Sequence, residues 1–246
     1  LDLKSDAGKA VLRRLLADAD VLVENYRPGV LAAMGFDRET LDAINPRLVV
    51  GSVNGYGSTG PYRDRPAFDF ITQAMSGFMS VNGSQESGPM RAAPPLTDLI
   101  AGLYTAFAIV AALRVRDRDG EGQAVEASMM GGMMSMLAHL SAAQLATGKT
   151  PPATGNDHPI ASPYGLFRAA DGHVAVAPST APTLRRFLEA IGLIGLLDEP
   201  RFATNADRVA NRATLNALID AAMCHETQDV WIERLNAAGV PCGRVQ

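Results

Sequence analysis

The first third of the chain alternates short apolar runs with helical segments, and this alternation constrains the fold more than any other feature. Residues 7–18 show helical spacing of apolar residues, and Val21–Glu24 and Leu48–Val53 are short strand signals. Helical signals lie between the two strands, through Met34 and over Asp37–Ile44. Strands separated by helices form parallel sheets with helical crossovers. The pattern therefore predicts an α/β fold with a parallel sheet.

The rest of the chain predicts two domains. Two long helices are expected near 98–117 and 127–146, with a possible short strand at 124–126, and residues 147–162 form a connection rich in Pro, Gly and Thr. A hairpin around Asp171 and three further helical regions, near 181–191, 206–223 and 227–238, follow. We expect a large α/β domain over 1–150, with its first strand missing from this chain. A small α+β domain is expected over 151–230, and the start of a return to the large domain over 231–246.

The composition excludes several classes of protein. Hydrophobic residues make up 47% of the chain and charged residues 20%, which predicts a sizeable core and not disorder. A net charge of −4 without a basic block argues against a nucleic-acid partner. Cys224 and Cys242 are expected to be reduced thiols in a cytoplasmic protein. The apolar run 99–113 is shorter than the roughly 20 residues that cross a bilayer, so we expect buried helices and no membrane partner.

Asp98 stands at the start of that apolar run. Pro94 and Pro95 keep the preceding chain extended, and Thr97 or Asp98 is then placed to cap the helix. A helix that is apolar on all sides belongs inside a protein. Asp98 is therefore either a structural cap or a reactive carboxylate, which the helix dipole would keep ionised in a sheltered place.

Other motifs have two readings each. Gly55–Gly60 has the G-x-G-x-x-G spacing, but Pro61 follows where a dinucleotide site needs a helix, so a tight turn beside a ligand is favoured. Glu24–Gly29 either begins a helix or borders a ligand crevice at a strand end. His158 is either a surface residue or close to a site. The histidines and cysteines have no spacing typical of a metal site, and five methionines are expected to pack in the core and not to bind copper: Met129, Met130, Met133, Met134 and Met136.

Taken in order, several segments resemble the family III CoA-transferases, the group of formyl-CoA transferase, CaiB and BaiF. The matching pieces extend over nearly the whole chain: Leu1–Lys4, Glu24–Gly29, Met34–Phe36, Gly55–Gly57 with Gly60-Pro61, Phe68-Asp69, Leu96–Leu99, Gly120 with Gly122-Gln123, Pro163-Tyr164, Phe167 with Asp171-Gly172, and Gly239–Gly243.

This resemblance implies a Rossmann-like large domain in an interlocked homodimer, with coenzyme A or acyl-CoA as substrate and no metal. It implies that Asp98 is the nucleophile that transfers CoA from an acyl-CoA, with a preference for succinyl-CoA, to a small carboxylic acid. It also implies CoA contacts from nine residues: Leu1, Asp2, Leu3, Lys4, Asn25, Tyr26, Arg27, Phe68 and Asp69.

Two alternative functions are open. The same superfamily includes α-methylacyl-CoA racemases, which carry a His-Asp pair where this chain has Phe68-Asp69. Racemisation needs a base on each face of the carbon, and phenylalanine supplies none, so the sequence favours transfer. The third reading is a CoA-binding protein without catalysis.

Overall fold

The chain folds into two units that have separate hydrophobic cores. The structure is a computed structural model that describes all residues, 1–246. The first unit comprises residues 1–82 and 87–151, and the second comprises residues 83–86 and 152–246. The second unit thus begins its main segment close to the boundary predicted from the Pro-rich connection.

The elements, in chain order, are as follows. The first unit contains α1 (Asp6–Ala17), β1 (Val21–Glu24), α2 (Val30–Ala33), α3 (Arg38–Ile44), β2 (Val49–Asn54), α4 (Asp69–Met75) and α5 (Phe78–Val81). The short β3 (Gly83–Ser84) belongs to the second unit. The first unit resumes with β4 (Gly88–Pro89), α6 (Leu96–Asp119), β5 (Ala124–Ser128), α7 (Met129–Met136) and α8 (Ala138–Thr147). The second unit continues with β6 (Gly165–Ala169), β7 (Gly172–Val176), α9 (Ala181–Ala190), 3-10 helices at Ile194–Asp198 and Pro200–Phe202, α10 (Asn205–Ala210), α11 (Arg212–Met223), α12 (Gln228–Ala237) and β8 (Cys242–Arg244).

A three-stranded parallel sheet in the order β1-β2-β5 forms the centre of the first unit. Val21 pairs with Val49, and Val50 pairs with Ala124. On one side a small core forms between the sheet and the first helices, with Leu16, Phe36 and Leu41 almost completely buried. The predicted parallel α/β arrangement is confirmed, and all three strands direct their carboxyl ends to the same edge.

The second unit is an antiparallel sheet of β6, β7 and β8 covered by helices. Its core contains the fully or almost fully buried side chains of Phe167, Phe187, Phe202 and Trp231. The predicted hairpin is present, and the Asp171 side chain in its turn accepts a hydrogen bond from the backbone N–H of Gln228 at 2.7 Å. Residues 231–246, over which the start of a return to the large domain was expected, belong to the second unit, in which β8 pairs with β7.

Helix α6 is only partly buried, although a helix that is apolar on all sides was expected to be buried completely. One side packs against β2, β5 and α7, and Ala101 is fully buried there. The opposite side has no element of its own unit above it, so Leu103 is 67% exposed and Phe107 is 78% exposed. With 24 residues, α6 is also long and apolar enough to cross a membrane, although core helices of soluble proteins satisfy the same criterion.

Candidate active site

A cavity of about 650 Å³ opens at the carboxyl edge of the parallel sheet, within the first unit. This is the edge at which open parallel sheets bind their ligands. The loops that follow β1 and β2, the segment before α4, and the starts of α6 and α7 supply the lining: Val23, Glu24, Asn25, Tyr26, Arg27, Pro28, Val53, Asn54, Gly55, Arg63, Arg65, Ala67, Phe68, Asp98 and Met129.

The turn after β1 presents Asn25, Tyr26 and Arg27 to the cavity. Glu24 stabilises this turn, because its Oε2 atom accepts a hydrogen bond from the backbone N–H of Tyr26 at 2.7 Å. Gly29 has a φ of 85°, a left-handed conformation that favours glycine, and it precedes the first residue of α2. The two readings of this motif are therefore compatible, since it both begins a helix and borders the cavity.

Asn54 and Glu126 stabilise the glycine loop after β2. The Asn54 side chain accepts a hydrogen bond from the backbone N–H of Gly57 at 2.5 Å and donates one to Glu126 at 2.9 Å. Glu126 in turn accepts from the backbone N–H of Ser58 at 3.0 Å. The next helix, α4, begins only at Asp69, so the loop lacks the adjoining helix of a dinucleotide-binding motif.

Asp98 lies in the first turn of α6 and lines the cavity. Its side chain is exposed, and no backbone or side-chain group of the chain donates a hydrogen bond to its carboxylate. Partial burial raises the pKa of Asp98, and the nearby charge of Asp69 raises it further. The dipole of α6 acts in the opposite direction and favours the ionised form. The result is an unpartnered carboxylate that faces a cavity.

The helix that carries Asp98 is capped differently from the sequence prediction. The N-cap residue is Pro95, which makes no side-chain cap, and neither Thr97 nor Asp98 caps the helix. Asp69 provides the cap from α4, because its Oδ1 atom accepts a hydrogen bond from the backbone N–H of Thr97 at 2.9 Å. A local sequence pattern does not reveal a cap contributed by a residue 28 positions away.

Five of the ten residues predicted for the site line this cavity together. They are Asn25, Tyr26, Arg27, Phe68 and Asp98. Leu1–Lys4 do not line it and instead form a turn before α1, in which Asp2 accepts a hydrogen bond from the backbone N–H of Lys4 at 2.9 Å. Asp69 also lies outside the lining, with hydrogen bonds to both of its carboxylate oxygens.

The cavity lining also contains two arginines that were not predicted as site residues. Arg63 and Arg65 follow the glycine loop, and the guanidinium carbon of Arg65 lies 3.9 Å from the ring centroid of Tyr62. Tyr62 in turn packs edge-on against Tyr56, with 5.8 Å between the ring centroids. Arg63 and Arg65 lie in the sequence between the end of a parallel strand and the next helix. That position is the signal that would have identified them, because such loops border the ligand crevice.

Comparison with known proteins decides the family. The model of the family described as CoA-transferase family III matches residues 1–246, the whole chain. The chain belongs to CoA-transferase family III. Family III membership also agrees with the order of the motifs along the sequence and with the position of Asp98 in the cavity.

Two curated relatives of this family III chain are CoA-transferases. An acetyl-CoA:oxalate CoA-transferase of Acetobacter aceti is 37% identical over 244 residues, which cover 99% of this chain and 63% of that protein. A succinate–glutarate CoA-transferase of Agrobacterium fabrum is 36% identical over 244 residues, covering 99% of this chain and 61% of that protein. The chain therefore spans less than two thirds of the length of these relatives.

A solved structure shares the fold. The crystal structure of a CaiB/BaiF family protein from Brucella suis matches with a TM-score of 0.88 and 37% identity, and the match covers 100% of this chain and 65% of that one. The predicted fold of the family III CoA-transferases is thus confirmed.

Proposed function

We propose that Asp98 is the nucleophile of a CoA-transferase that moves coenzyme A from an acyl-CoA to a carboxylic acid. The observation that carries this proposal is the unpartnered Asp98 carboxylate in the cavity of a family III chain. Phe68 lines the same cavity and supplies no base, which supports transfer over racemisation.

The reaction proceeds through two kinds of covalent intermediate. A carboxylate oxygen of Asp98 attacks the thioester carbonyl of the donor and expels CoA thiolate, which leaves an acyl–aspartyl anhydride. The thiolate then attacks the aspartyl carbonyl, so that the donor acid departs and a CoA thioester forms on Asp98. The acceptor carboxylate attacks that thioester to give a new anhydride and free thiolate. Attack of the thiolate on the acceptor acyl carbon releases the new acyl-CoA and regenerates Asp98.

The start of α6 offers a donor for the oxyanions that form in these steps. The backbone N–H of Thr97 is bonded to Asp69, and that of Leu99 to the carbonyl of Pro95. The N–H of Asp98 has no acceptor within the chain. A free N–H in the first turn of a helix stabilises negative charge that develops beside it. We infer that it contributes to oxyanion stabilisation.

Cationic and aromatic groups around the cavity suit the binding of CoA. Arg27, Arg63 and Arg65 provide three guanidinium groups, which pair well with phosphate and carboxylate. Asn25, Tyr26 and Phe68 add hydrogen-bonding and stacking surface. We propose that these groups hold the CoA and the acid. The CoA contacts of Leu1–Lys4 and Asp69 stay predictions from the family resemblance.

We further propose that the protein works as an interlocked homodimer in the cytoplasm, in which a second copy covers the exposed side of α6. Leu99, Leu103, Phe107 and Val110 lie on that side, with exposures of 58%, 67%, 78% and 65%. An apolar surface of this kind is typical of an interface. A cover over α6 would also restrict water near Asp98, which the anhydride and thioester intermediates require.

The decisive experiment detects the covalent intermediate. The full-length protein is incubated with succinyl-CoA and a set of small mono- and dicarboxylic acids, and new thioesters are measured together with the mass of the peptide that contains Asp98. A CoA adduct on Asp98 and new acyl-CoA support the proposal. Deuterium incorporation at the α-carbon of a 2-methylacyl-CoA without an acceptor indicates a racemase, and binding without either event indicates a non-catalytic protein.

A further inference from the structure

We propose that Asp69 is a positioning residue, which together with Gln73 and Thr97 holds the start of α6 so that the Asp98 carboxylate faces the cavity. This inference rests on the proposed role of Asp98 and departs from the predicted role of Asp69 as a CoA contact. The group of Asp69, Gln73, Thr97 and Thr72 is called the α4–α6 clamp below.

Both oxygens of the Asp69 carboxylate accept hydrogen bonds from donors within the protein. Its Oδ1 atom accepts from the backbone N–H of Thr97 at 2.9 Å and from the Thr97 hydroxyl at 3.0 Å. Its Oδ2 atom accepts from Nε2 of Gln73 at 2.8 Å. The hydroxyl oxygens of Thr97 and Thr72 are also 2.7 Å apart. Asp69 therefore has its hydrogen-bonding capacity directed at α6 and its own helix.

Gln73 links the other side of the clamp to the chain that leads into α6. Its side chain is fully buried. Nε2 donates to Asp69, and Oε1 accepts from the backbone N–H of Ala92 at 2.8 Å. These two bonds determine which end of the amide is oxygen. The segment between Ala92 and Thr97 is consequently held at both ends by residues of α4.

The clamp acts on the residue next to the nucleophile. Thr97 is fully buried, and its backbone N–H is one of the donors that a helix start leaves unpaired. Asp98 follows directly, with an exposed side chain and no hydrogen bond of its own. The backbone of the first turn therefore sets the point and the Cα–Cβ direction from which the Asp98 side chain projects. Fixing a reacting group in this way contributes to catalysis because small misplacements at a reacting centre cost large factors in rate.

The test exchanges the hydrogen-bonding roles of Asp69 and Gln73 in the full-length protein. In Asp69→Asn the side-chain NH2 group faces Nε2 of Gln73, so two hydrogen-bond donors oppose each other. Rotating the Gln73 amide would remove this conflict but would place Nε2 opposite the backbone N–H of Ala92, which is also a donor. In Gln73→Glu two carboxylates meet. The double variant Asp69→Asn/Gln73→Glu restores a donor opposite an acceptor and keeps the total charge. The clamp thus predicts mutual rescue.

We expect each single variant to lower kcat for CoA transfer by about tenfold or more, with the KM for succinyl-CoA changed by less than about threefold. The double variant should recover to within about threefold of the wild-type kcat. Asp69→Asn should also move the acid limb of the kcat profile to lower pH, because a negative charge near Asp98 is removed. That shift reports the loss of the charge, and the recovery of kcat in the double variant reports the clamp.

Asp37→Asn is the matched control, since Asp37 caps α3 through the backbone N–H of Thr40 at 2.8 Å and lies outside the cavity. It should leave kcat and the pH profile unchanged. An unchanged kcat in Asp69→Asn with a raised KM would overturn the inference and restore the CoA-contact role. A double variant that folds but is no more active than the single ones would also overturn it. Absence of a CoA adduct on wild-type Asp98 would instead reject the proposed function itself.

Discussion

Two carboxylates lie close to the start of α6, and their surroundings differ in a way that separates their roles. Asp69 accepts three hydrogen bonds, whereas Asp98 accepts none. A carboxylate whose oxygens are occupied is a poor nucleophile and a good structural anchor. A carboxylate without hydrogen-bond partners and with reduced hydration is a better nucleophile, which agrees with the different roles that we propose for Asp69 and Asp98.

Replacing Asp98 by Asn is expected to abolish CoA transfer without weakening the fold. The raised pKa of Asp98 means that the folded state disfavours its charge, so a neutral side chain of the same shape should leave the Tm unchanged or higher. We expect a fall in kcat of at least about a thousandfold. Steady-state kinetics and thermal unfolding measure the two effects.

Glu39→Gln is the matched control for this change, because Glu39 is an exposed acid in the first turn of α3. It should keep full activity. Transfer that persists in Asp98→Asn, in a protein confirmed by mass, would contradict the nucleophile assignment.

The acid limb of the rate should lie above the range of an ordinary aspartate. Partial burial, and then the charge of Asp69, raise the pKa of Asp98. The reactive ion is therefore lost at a higher pH on acidification, and the rate of adduct formation should fall there. The free energy of unfolding depends on pH in the opposite direction. The contribution of Asp98 to stability is fully present below its pKa in the unfolded chain and is lost as the pH rises through its pKa in the folded protein.

Carboxyl titration by NMR checks this order of pKa values directly. Asp37 is the internal reference, because hydrogen bonds from the side chain and backbone of Thr40 lower its pKa. We expect Asp98 to titrate above Asp37. The reverse order would show that the first-turn dipole dominates over desolvation at α6.

At the scale of elements, the glycine loop after β2 shapes the cavity by allowing the backbone close to its neighbours. A Cβ atom on Gly55 would lie 2.2 Å from the Cβ atom of Ala67, a distance that neither residue tolerates. Both residues line the cavity. We expect Gly55→Ala to reduce the free energy of unfolding by about 1–3 kcal/mol and to raise the KM for acyl-CoA. Chemical denaturation and kinetics provide the measurement.

Gly195→Ala serves as the comparison, since a Cβ atom there would meet no heavy atom within 4 Å apart from its chain neighbours and the backbone of its own helix, and its φ is not left-handed. Its stability should change by less than about 0.5 kcal/mol. If Gly55→Ala were equally neutral, the loop would have to shift freely, and the close approach to Ala67 would have no role in the shape of the cavity.

The elements that local patterns define were predictable, and those defined by distant partners were not. Val21–Glu24 was located to the residue, because a short β-branched run between helical segments is a local signal. The predicted helix near 127–146 is instead a strand end followed by two helices, α7 and α8. Ser128 explains the delayed start, because its side chain accepts a hydrogen bond from the backbone N–H of Gly131 and caps α7.

The same distinction applies to the site. Asn25 and Asp98 were predicted from motifs and do line one cavity. The clamp was missed because its central bond joins Asp69 to Thr97, and no local spacing reports a contact between separate helices. The exposed side of α6 was missed for a related reason, since hydropathy indicates that a surface avoids water but not which element covers it.

At the scale of the whole molecule, the exposed side of α6 predicts an oligomer. We expect Phe107→Glu to convert a wild-type dimer to monomers and to remove transfer activity, because a charge would be buried at the proposed interface. Light scattering at several concentrations measures the mass. Leu15→Glu, at a leucine of α1 that is 58% exposed, should leave the dimer intact. A wild-type protein that is monomeric at micromolar concentration would contradict the prediction.

The exposure of Asp98 has a consequence for an unassembled chain. An anhydride or thioester on an exposed carboxylate meets two competing nucleophiles, the acceptor acid and water. A single copy that still binds acyl-CoA would therefore behave as a slow thioesterase and waste its substrate. The ratio of transfer to hydrolysis would then report how completely the protein has assembled, and dilution alone should shift that ratio toward hydrolysis.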